Sequence, residues 1–241
     1  MKPHVVALAA GLGLAAHAPG ASAQAPPPPL APVKLSDEST VTRSANAVAP
    51  APVRAQPSAR SVQVGRLRLV TEDGYPEVYV ALSALRSSAG LVWVRVRVPQ
   101  RPNGVTGWVR AGALGPFNVV RKRLVVDTSA LRVTLYDRGR RRFSARVGIG
   151  APGTPTPRGS FWIREKFHVS GTPLYGPRAM GTSAYSSVLT DWPGGGVVGL
   201  HGTSEPGLIP GRPSHGCVRL RNEDILRLFA LTPVGTPLRI E

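Results

Sequence analysis

In the second half of the chain, apolar and polar positions alternate in short runs. Leu131, Val133 and Leu135 fall on one side of one run, and Arg132, Thr134 and Tyr136 on the other. A period of two turns one face toward a core. Asp137-Arg138-Gly139 supplies a reversal, so RLVVDTSALRVTLYDRGRRRFSARVGIG reads as strand, turn, strand, turn, strand. TPTPRGSFWI (154–163) is a Pro-rich loop entering a strand, and VVGLHG (197–202) is a buried strand ending at His201. Residues 170–196 are rich in Gly, Ser and Pro and read as a long loop or lid. A helical pattern occupies Glu223–Leu231, with Ile225, Leu228 and Phe229 on one face. Asn222 is placed to cap it, and Glu223 and Asp224 suit the positive end of its dipole. Thr232-Pro233 ends the helix and TPLRIE is a last strand. Residues 117–241 are therefore predicted to be mostly β with one short helix.

Residues 61–116 predict a smaller β unit. Val62, Val64, Leu67 and Leu69 lie in short alternating segments, and Val92, Val94, Val96 and Val98 alternate with Trp93, Arg95 and Arg97. Asn103-Gly104 is a turn between strands. Ala81–Ser87 reads as a short helical turn, and Trp93 and Trp108 as core. Residues 24–60 are rich in Pro, Ala and Ser without apolar periodicity, and read as a disordered or polyproline-like spacer. The first 23 residues have a basic start at Lys2, an apolar run Val5–Ala16 and a small-residue site Ala21-Ser22-Ala23. That is the pattern of a signal peptide cleaved after Ala23. The apolar run is too short to span a bilayer, and no later segment is long and apolar enough to do so. The expectation is export, with the mature protein soluble or held non-covalently to an envelope surface.

Charge and cysteine content sharpen this picture. The 241-residue chain has a formal net charge of +17, from 30 Lys and Arg against 13 Asp and Glu. Arg138, Arg140, Arg141 and Arg142 read either as a solvated hairpin tip or as an attraction for anionic cell-wall polymers. Nucleic acid is not an expected partner, since export and a basic run without interleaved aromatics both argue against it. Cys217 is the only cysteine. In an exported protein it cannot form an internal disulfide, which leaves a buried inert thiol, an intermolecular bridge or a nucleophile. Two of the three histidines beyond residue 24, His201 and His215, lie 16 and 2 positions upstream of it. A neighbouring imidazolium or backbone N–H dipoles favour thiolate. Gly202 and Gly216 remove side chains beside both, so that backbone can approach a substrate and N–H groups can face an oxyanion. No Asp or Glu is near enough in sequence to orient the imidazole, and a backbone carbonyl such as that of Gly202 could do so instead.

LHGTSEPGLIPGRPSHGCVRLRN (200–222) resembles the signature of the L,D-transpeptidases, the family with a YkuD-like catalytic domain. The pattern is a His-Gly strand end, a loop, then Ser/Thr-His-Gly-Cys-aliphatic-Arg or Asn. The upstream TPTPRGSFWI and downstream PVGTPLRIE also match, so the resemblance covers roughly residues 120–241. WVRVRVPQRPNGVTGWV (93–109) resembles bacterial SH3-like modules. Together these imply a mainly β protein: a small SH3-like β-barrel (61–116), then a YkuD-like β-sandwich or barrel catalytic domain (117–241) with one short C-terminal helix.

The resemblance assigns roles residue by residue. Cys217 is the nucleophile, His201 its general acid/base, and the Gly202 carbonyl orients that histidine. Ser214, His215 and Gly216 match the loop that shapes the site and its oxyanion donors. His215 is read either as a proton carrier or as a loop residue. Arg219 matches a position that holds the loop or meets the donor peptide. Met180 and Tyr185 fall in the stretch read as a lid, where Tyr185 is taken as substrate-binding. Some members carry Ser where this chain has Gly202, which removes a side-chain role there, and the His201–Ser214 loop is short.

The implied reaction is acyl transfer from a peptidoglycan stem tetrapeptide. Cys217 forms a thioester, the terminal D-alanine leaves, and a neighbouring stem amine makes a 3→3 cross-link. Attack by water would make the enzyme an L,D-carboxypeptidase. The resemblance implies no metal or other cofactor, and acylation by carbapenem-type inhibitors. A zinc site from His201, His215 and Cys217 would have enough ligands, but their spacing matches no common zinc motif. A third reading is an inactive wall-binding protein whose basic barrel does the work.

Overall fold

The computed structural model describes residues 31–191 and 193–241. The expected signal peptide and residues 24–30 of the expected spacer lie outside them. The described chain is mainly β and forms two sheets, with a single α-helix near its end.

The first sheet contains β1 (Val33–Lys34), β2 (Thr42–Asn46), β3 (Ala51–Arg54), β4 (Gln63–Leu67), β5 (Val78–Arg86), β6 (Val92–Arg97), β7 (Thr106–Arg110) and β8 (Asn118–Val120). Its order is β4-β3-β7-β6-β5-β2-β8, with β1 against β5. Leu67, Tyr79, Val94, Val96 and Val109 fill its core. Three expectations are corrected here. Residues 31–60 are not all spacer, because β1, β2 and β3 lie in this sheet. The buried positions of β2 are the small residues Thr42, Ser44 and Ala45, on both faces of the strand, so burial left no pattern of large apolar residues to read. Residues 81–86 are strand rather than helical turn, because they pair with β6 on one side and, at Ser83 and Ala84, with β1 on the other. Tertiary pairing overrides the weak propensity of an Ala-, Leu- and Ser-rich stretch. The unit also runs past residue 116, since β8 pairs with β2.

The second sheet contains β9 (Lys122–Asp127), β10 (Arg132–Asp137), β11 (Arg140–Arg146), β12 (Gly148–Gly150), β13 (Gly159–His168), β14 (Arg178–Tyr185), β15 (Val197–His201), β16 (Gly211–Ser214), β17 (Val218–Arg219) and β18 (Pro237–Ile240). Its order is β11-β10-β9-β18-β13-β14-β15-β17-β12-β16. Helix α1 (Asn222–Leu231) packs Ile225 and Leu228 into the core, beside Phe161, Ile163, Met180 and Leu200. The residue before the helix is Arg221, not Asn222. The Asn222 side chain instead turns back to accept the Thr203 N–H at 2.9 Å. The expected lid is corrected as well, for its centre is β14, a buried interior strand. Its small and polar residues disguised it. Their hydroxyls are bonded inside the sheet, with Thr182 Oγ1 donating to the Val198 carbonyl and the Trp162 N–H donating to Ser183 Oγ.

The units meet along β13 and β14. Trp162 packs with Val78 and Val80 and donates its indole N–H to the Val78 carbonyl at 2.7 Å. The buried Arg164 guanidinium faces Glu77, its Nε 2.8 Å from the carboxylate and its terminal nitrogen closer still. Glu72 lies 2.9 Å from the same guanidinium. The Asn103 side chain pairs with both the N–H and the carbonyl of Tyr185. Arg101 donates to the carbonyls of Ser186, Leu189 and Gly195. The first unit thus holds the 186–196 loop from outside.

Candidate active site

His201 ends β15, and Cys217 immediately precedes its parallel neighbour β17. Leu200 is in register with Val218, and His201 with Arg219. Cys217 therefore lies beside Gly199, whose N–H points at Sγ at 3.4 Å. Gly199 and His201 are two apart on β15 and share a face. That register puts the imidazole and the thiol on the walls of a common cavity.

The turn carrying Cys217 is closed by Ser214. Its hydroxyl donates to the Cys217 carbonyl at 2.6 Å and accepts the Gly216 N–H at 3.1 Å. Gly216 has φ +123°, a conformation that excludes ordinary side chains. Thr156 ties the turn to the TPTPRG loop, its hydroxyl donating to the Gly216 carbonyl at 2.8 Å. The Gly216 and Gly202 amides are both engaged, the latter with the Arg178 carbonyl at 3.3 Å. Both glycines shape the backbone, and the oxyanion-donor role expected of this loop does not fall to their N–H groups. Gly202 is required by packing, since a Cβ there would collide with Asn222 Oδ1 and crowd Gly176.

The imidazole is fixed. His201 Nδ1 lies 2.6 Å from the Gly202 carbonyl. A carbonyl only accepts, so Nδ1 carries the proton and Nε2 keeps its lone pair. The Tyr175 ring meets the imidazole edge-on at 4.7 Å. Burial lowers the His201 pKa to about 4, offset in part by the Gly202 carbonyl, and the Arg219 charge acts in the same direction as burial. Burial pushes the Cys217 thiol up, against the Gly199 N–H and Arg219, which both favour thiolate. At neutral pH the resting pair is therefore a thiol beside a neutral imidazole, a base able to take the thiol proton as a substrate arrives.

The remaining expected residues fall at different distances from this centre. Exposed His215 and partly buried Arg219 line the same cavity of about 210 Å³. Arg219 reaches Glu205, in the loop after β15, at 3.0 Å, and its Nε is buried without a hydrogen-bond partner among the described residues. Tyr185 is corrected: it does not line either cavity at Cys217. Its hydroxyl bonds Glu72 at 2.5 Å and its ring lies under the Arg101 guanidinium, so it belongs to the junction of the units.

Cys217 and His201 also line a second cavity, of about 280 Å³, with Asp73, Glu165, Gly181 and Gly199. Sequence reading missed Thr156, Tyr175, Gly199, Asp73 and Glu165. Thr156 lies in the TPTPRG stretch, which marked it for attention without giving it a role. Asp73 is 144 positions from Cys217, and no local pattern could connect them. Among the described residues no group of three or more His, Cys, Asp or Glu could hold a metal ion, and no helix is long and apolar enough to cross a membrane.

Residues 121–240 match the family model described as the L,D-transpeptidase catalytic domain, YkuD. A Bacillus licheniformis protein named as the L,D-transpeptidase YkuD is 31% identical over 118 residues, 49% of this chain and 64% of that one. A Salmonella typhimurium protein named as the L,D-transpeptidase ErfK/SrfK is 30% identical over 141 residues, 51% of this chain and 45% of that one. The chain thus spans from under half to under two thirds of these relatives' length. The solved L,D-transpeptidase from Mycobacterium smegmatis is 19% identical, covering 63% of this chain and 90% of that one at a TM-score of 0.41. Residues 121–240 of this chain belong to the YkuD family of L,D-transpeptidase catalytic domains.

Proposed function

We propose that this protein is an exported peptidoglycan L,D-transpeptidase that forms 3→3 cross-links through a Cys217 thioester. The observation that carries the reading is the fixed tautomer of His201. Its Nδ1 proton is committed to the Gly202 carbonyl at 2.6 Å, which leaves Nε2 free as a base in the cavity that holds the Cys217 thiol. Nε2 takes the thiol proton as Sγ attacks the carbonyl of the third stem residue. The tetrahedral oxyanion collapses, the proton passes to the departing D-alanine amine, and a thioester remains. A stem-peptide amine then attacks the thioester, and the thiol is restored. The amide of Cys217 itself serves as an oxyanion donor, because the Gly216 amide is taken by Ser214. Arg219, with its unpartnered buried Nε, meets a carbonyl or carboxylate of the donor peptide, and His215 shapes the mouth of that cavity. The N-terminal segment 1–23 directs export to the envelope, and the first unit acts as an SH3-like module.

The test uses purified protein and a disaccharide-tetrapeptide, with mass spectrometry of products and of intact protein. A cross-linked dimer lacking one D-alanine is the expected product, with a covalent adduct on Cys217 in the presence of imipenem. Cys217→Ala should abolish both. A tripeptide alone would make the protein an L,D-carboxypeptidase. Neither product and no adduct would remove the catalytic reading.

A further inference from the structure

Four residues form a row across the second sheet. Glu165 on β13 is in register with Gly181 on β14, and Gly181 with Gly199 on β15. Gly199 in turn lies beside Cys217, its N–H on the sulfur. Register partners share a face, so the two glycines leave a trough free of side chains between the thiol and the Glu165 carboxylate. Each end leans inward. Sγ rests over Gly199, and the Glu165 carboxylate covers Gly181 so closely that a Cβ there would collide with it. Neighbouring strands are about 4.8 Å apart, which puts the sulfur and the carboxylate roughly 5–7 Å apart across this trough. The second cavity lies over it, lined by Cys217, His201, Glu165 and Asp73.

The acidic end is assembled by both units. Asp73 comes from the 71–76 loop of the first unit, and the Thr71 hydroxyl of that loop donates to Glu165 at 2.5 Å. Tyr75 of the same loop stacks on Phe167 with ring centroids 6.1 Å apart. Glu165 is buried, and its carboxyl is raised to about 7 by burial first and by the neighbouring Asp73 charge, with Thr71 and Arg164 opposing. Burial and the Asp73 charge thus favour the protonated Glu165 carboxyl, and the two acidic side chains stand at the end of a trough that begins at the nucleophile.

We propose that Asp73 and Glu165 form the acyl-acceptor subsite, holding the side-chain ammonium of the attacking stem peptide and taking one of its protons. This rests on the thioester reading above and names the groups that serve its second step. The spacing fits. An ammonium nitrogen about 2.8 Å from a carboxylate oxygen can sit about 3 Å from a carbonyl carbon carried on Sγ. The protons balance. The ammonium gives one proton to the ionised carboxylate, and the amine nitrogen then attacks the thioester carbon. The C–N bond forms, the C–S bond breaks, and a second proton returns to sulfur by way of His201. The third stays on the new amide. Water carries no positive charge for the pair to hold, so the subsite favours cross-linking over hydrolysis.

The test separates the two steps on the full protein. Acylation is followed by intact mass with imipenem, and acceptor transfer by cross-linked product from disaccharide-tetrapeptide at varied concentration. Asp73→Asn and Glu165→Gln should each be acylated within about twofold of wild type. Each should lose about 10- to 100-fold in acceptor kcat/KM, the worth of a charge-assisted hydrogen bond, with the tripeptide fraction rising. Asp73 is an exposed loop residue, so its variant remains informative if Glu165→Gln folds poorly. Normal transfer in both acylated variants overturns the proposal. Loss of acylation in both also overturns it, because the pair would then serve the architecture alone. A wild type that is never acylated defeats the thioester reading itself and this proposal with it.

Discussion

The junction of the two units depends on one buried charge. Glu77 is fully buried and accepts from Arg164 Nε at 2.8 Å, from its own neighbour Val78 N–H at 3.1 Å and from Arg68 at 3.3 Å. Glu77→Ala removes the partner facing the Arg164 fork and leaves that guanidinium, itself without side-chain exposure, with Glu72 as its one remaining carboxylate and a 3.4 Å contact to the Tyr185 hydroxyl. Removing one member of a buried pair costs about 3–5 kcal/mol, because the other charge stays desolvated. In a chain of this size each kcal/mol moves Tm by about 2–4 °C, so a fall of about 6–20 °C is expected. Trp162 lies against Val78 at the same junction, and tryptophan fluorescence together with near-UV dichroism follows the loss. The double variant Glu77→Met with Arg164→Met should regain most of the stability, since an apolar pair of similar volume carries no desolvation cost. A fall under about 2 °C in the single variant, or a double variant no better than the single, would refute the desolvation argument.

Three further outcomes follow from the site. With the His201 pKa lowered to about 4, the acid limb of the acylation rate should lie near pH 4, and a limb at 6–7 would mean that the imidazole is not buried as described. The same lowering makes folding lose up to about 3 kcal/mol as pH falls from 6.5 to 4, because the unfolded chain binds the proton first; urea titrations across that window measure it. Gly202→Ser should cost about 1–3 kcal/mol by overpacking against Asn222, and Asn222→Ala should recover part of it, whereas an unchanged urea midpoint in Gly202→Ser would contradict the packing. Arg101→Ala should speed hydrogen exchange in residues 186–196 while leaving β15 protected, because it removes three backbone contacts to that loop; equal exchange in both proteins would show that the loop holds itself.

What the sequence made legible was what depends on neighbours in the chain. The alternation at 131–136 and the apolar run 197–201 produced strands because each carries large buried side chains, Val133 and Leu135 or Val198 and Leu200. The spacing of His201, His215 and Cys217 pointed to a candidate site, and the three line one cavity. β2 and β14 were hidden for the same physical reason, for both bury threonine, serine and alanine, which carry no pattern of large apolar residues. Tyr185 was misplaced because an aromatic in a Gly- and Ser-rich stretch reads as a lid, while its hydroxyl answers to Glu72 from 113 positions away. Asp73 was out of reach of any pattern argument, since only the docking of the two units brings it to Cys217.

The recognised family segment begins at residue 121, yet a wall of one cavity and the brace of the other are supplied from before it, by Asp73 and by Arg101. The proposed acyl-transfer site therefore includes residues that a catalytic-domain comparison does not contain. A chimera carrying another relative's first unit would inherit the nucleophile intact and exchange part of the pocket around it. Docking and occupancy are also thermodynamically linked: a ligand that needs both walls, at 100 times its Kd, would add about 2.7 kcal/mol to the union of the units. On the proposed reading the small β unit supplies one wall of a substrate mould, so that a substitution in it would alter specificity without any change to the cysteine or the histidine.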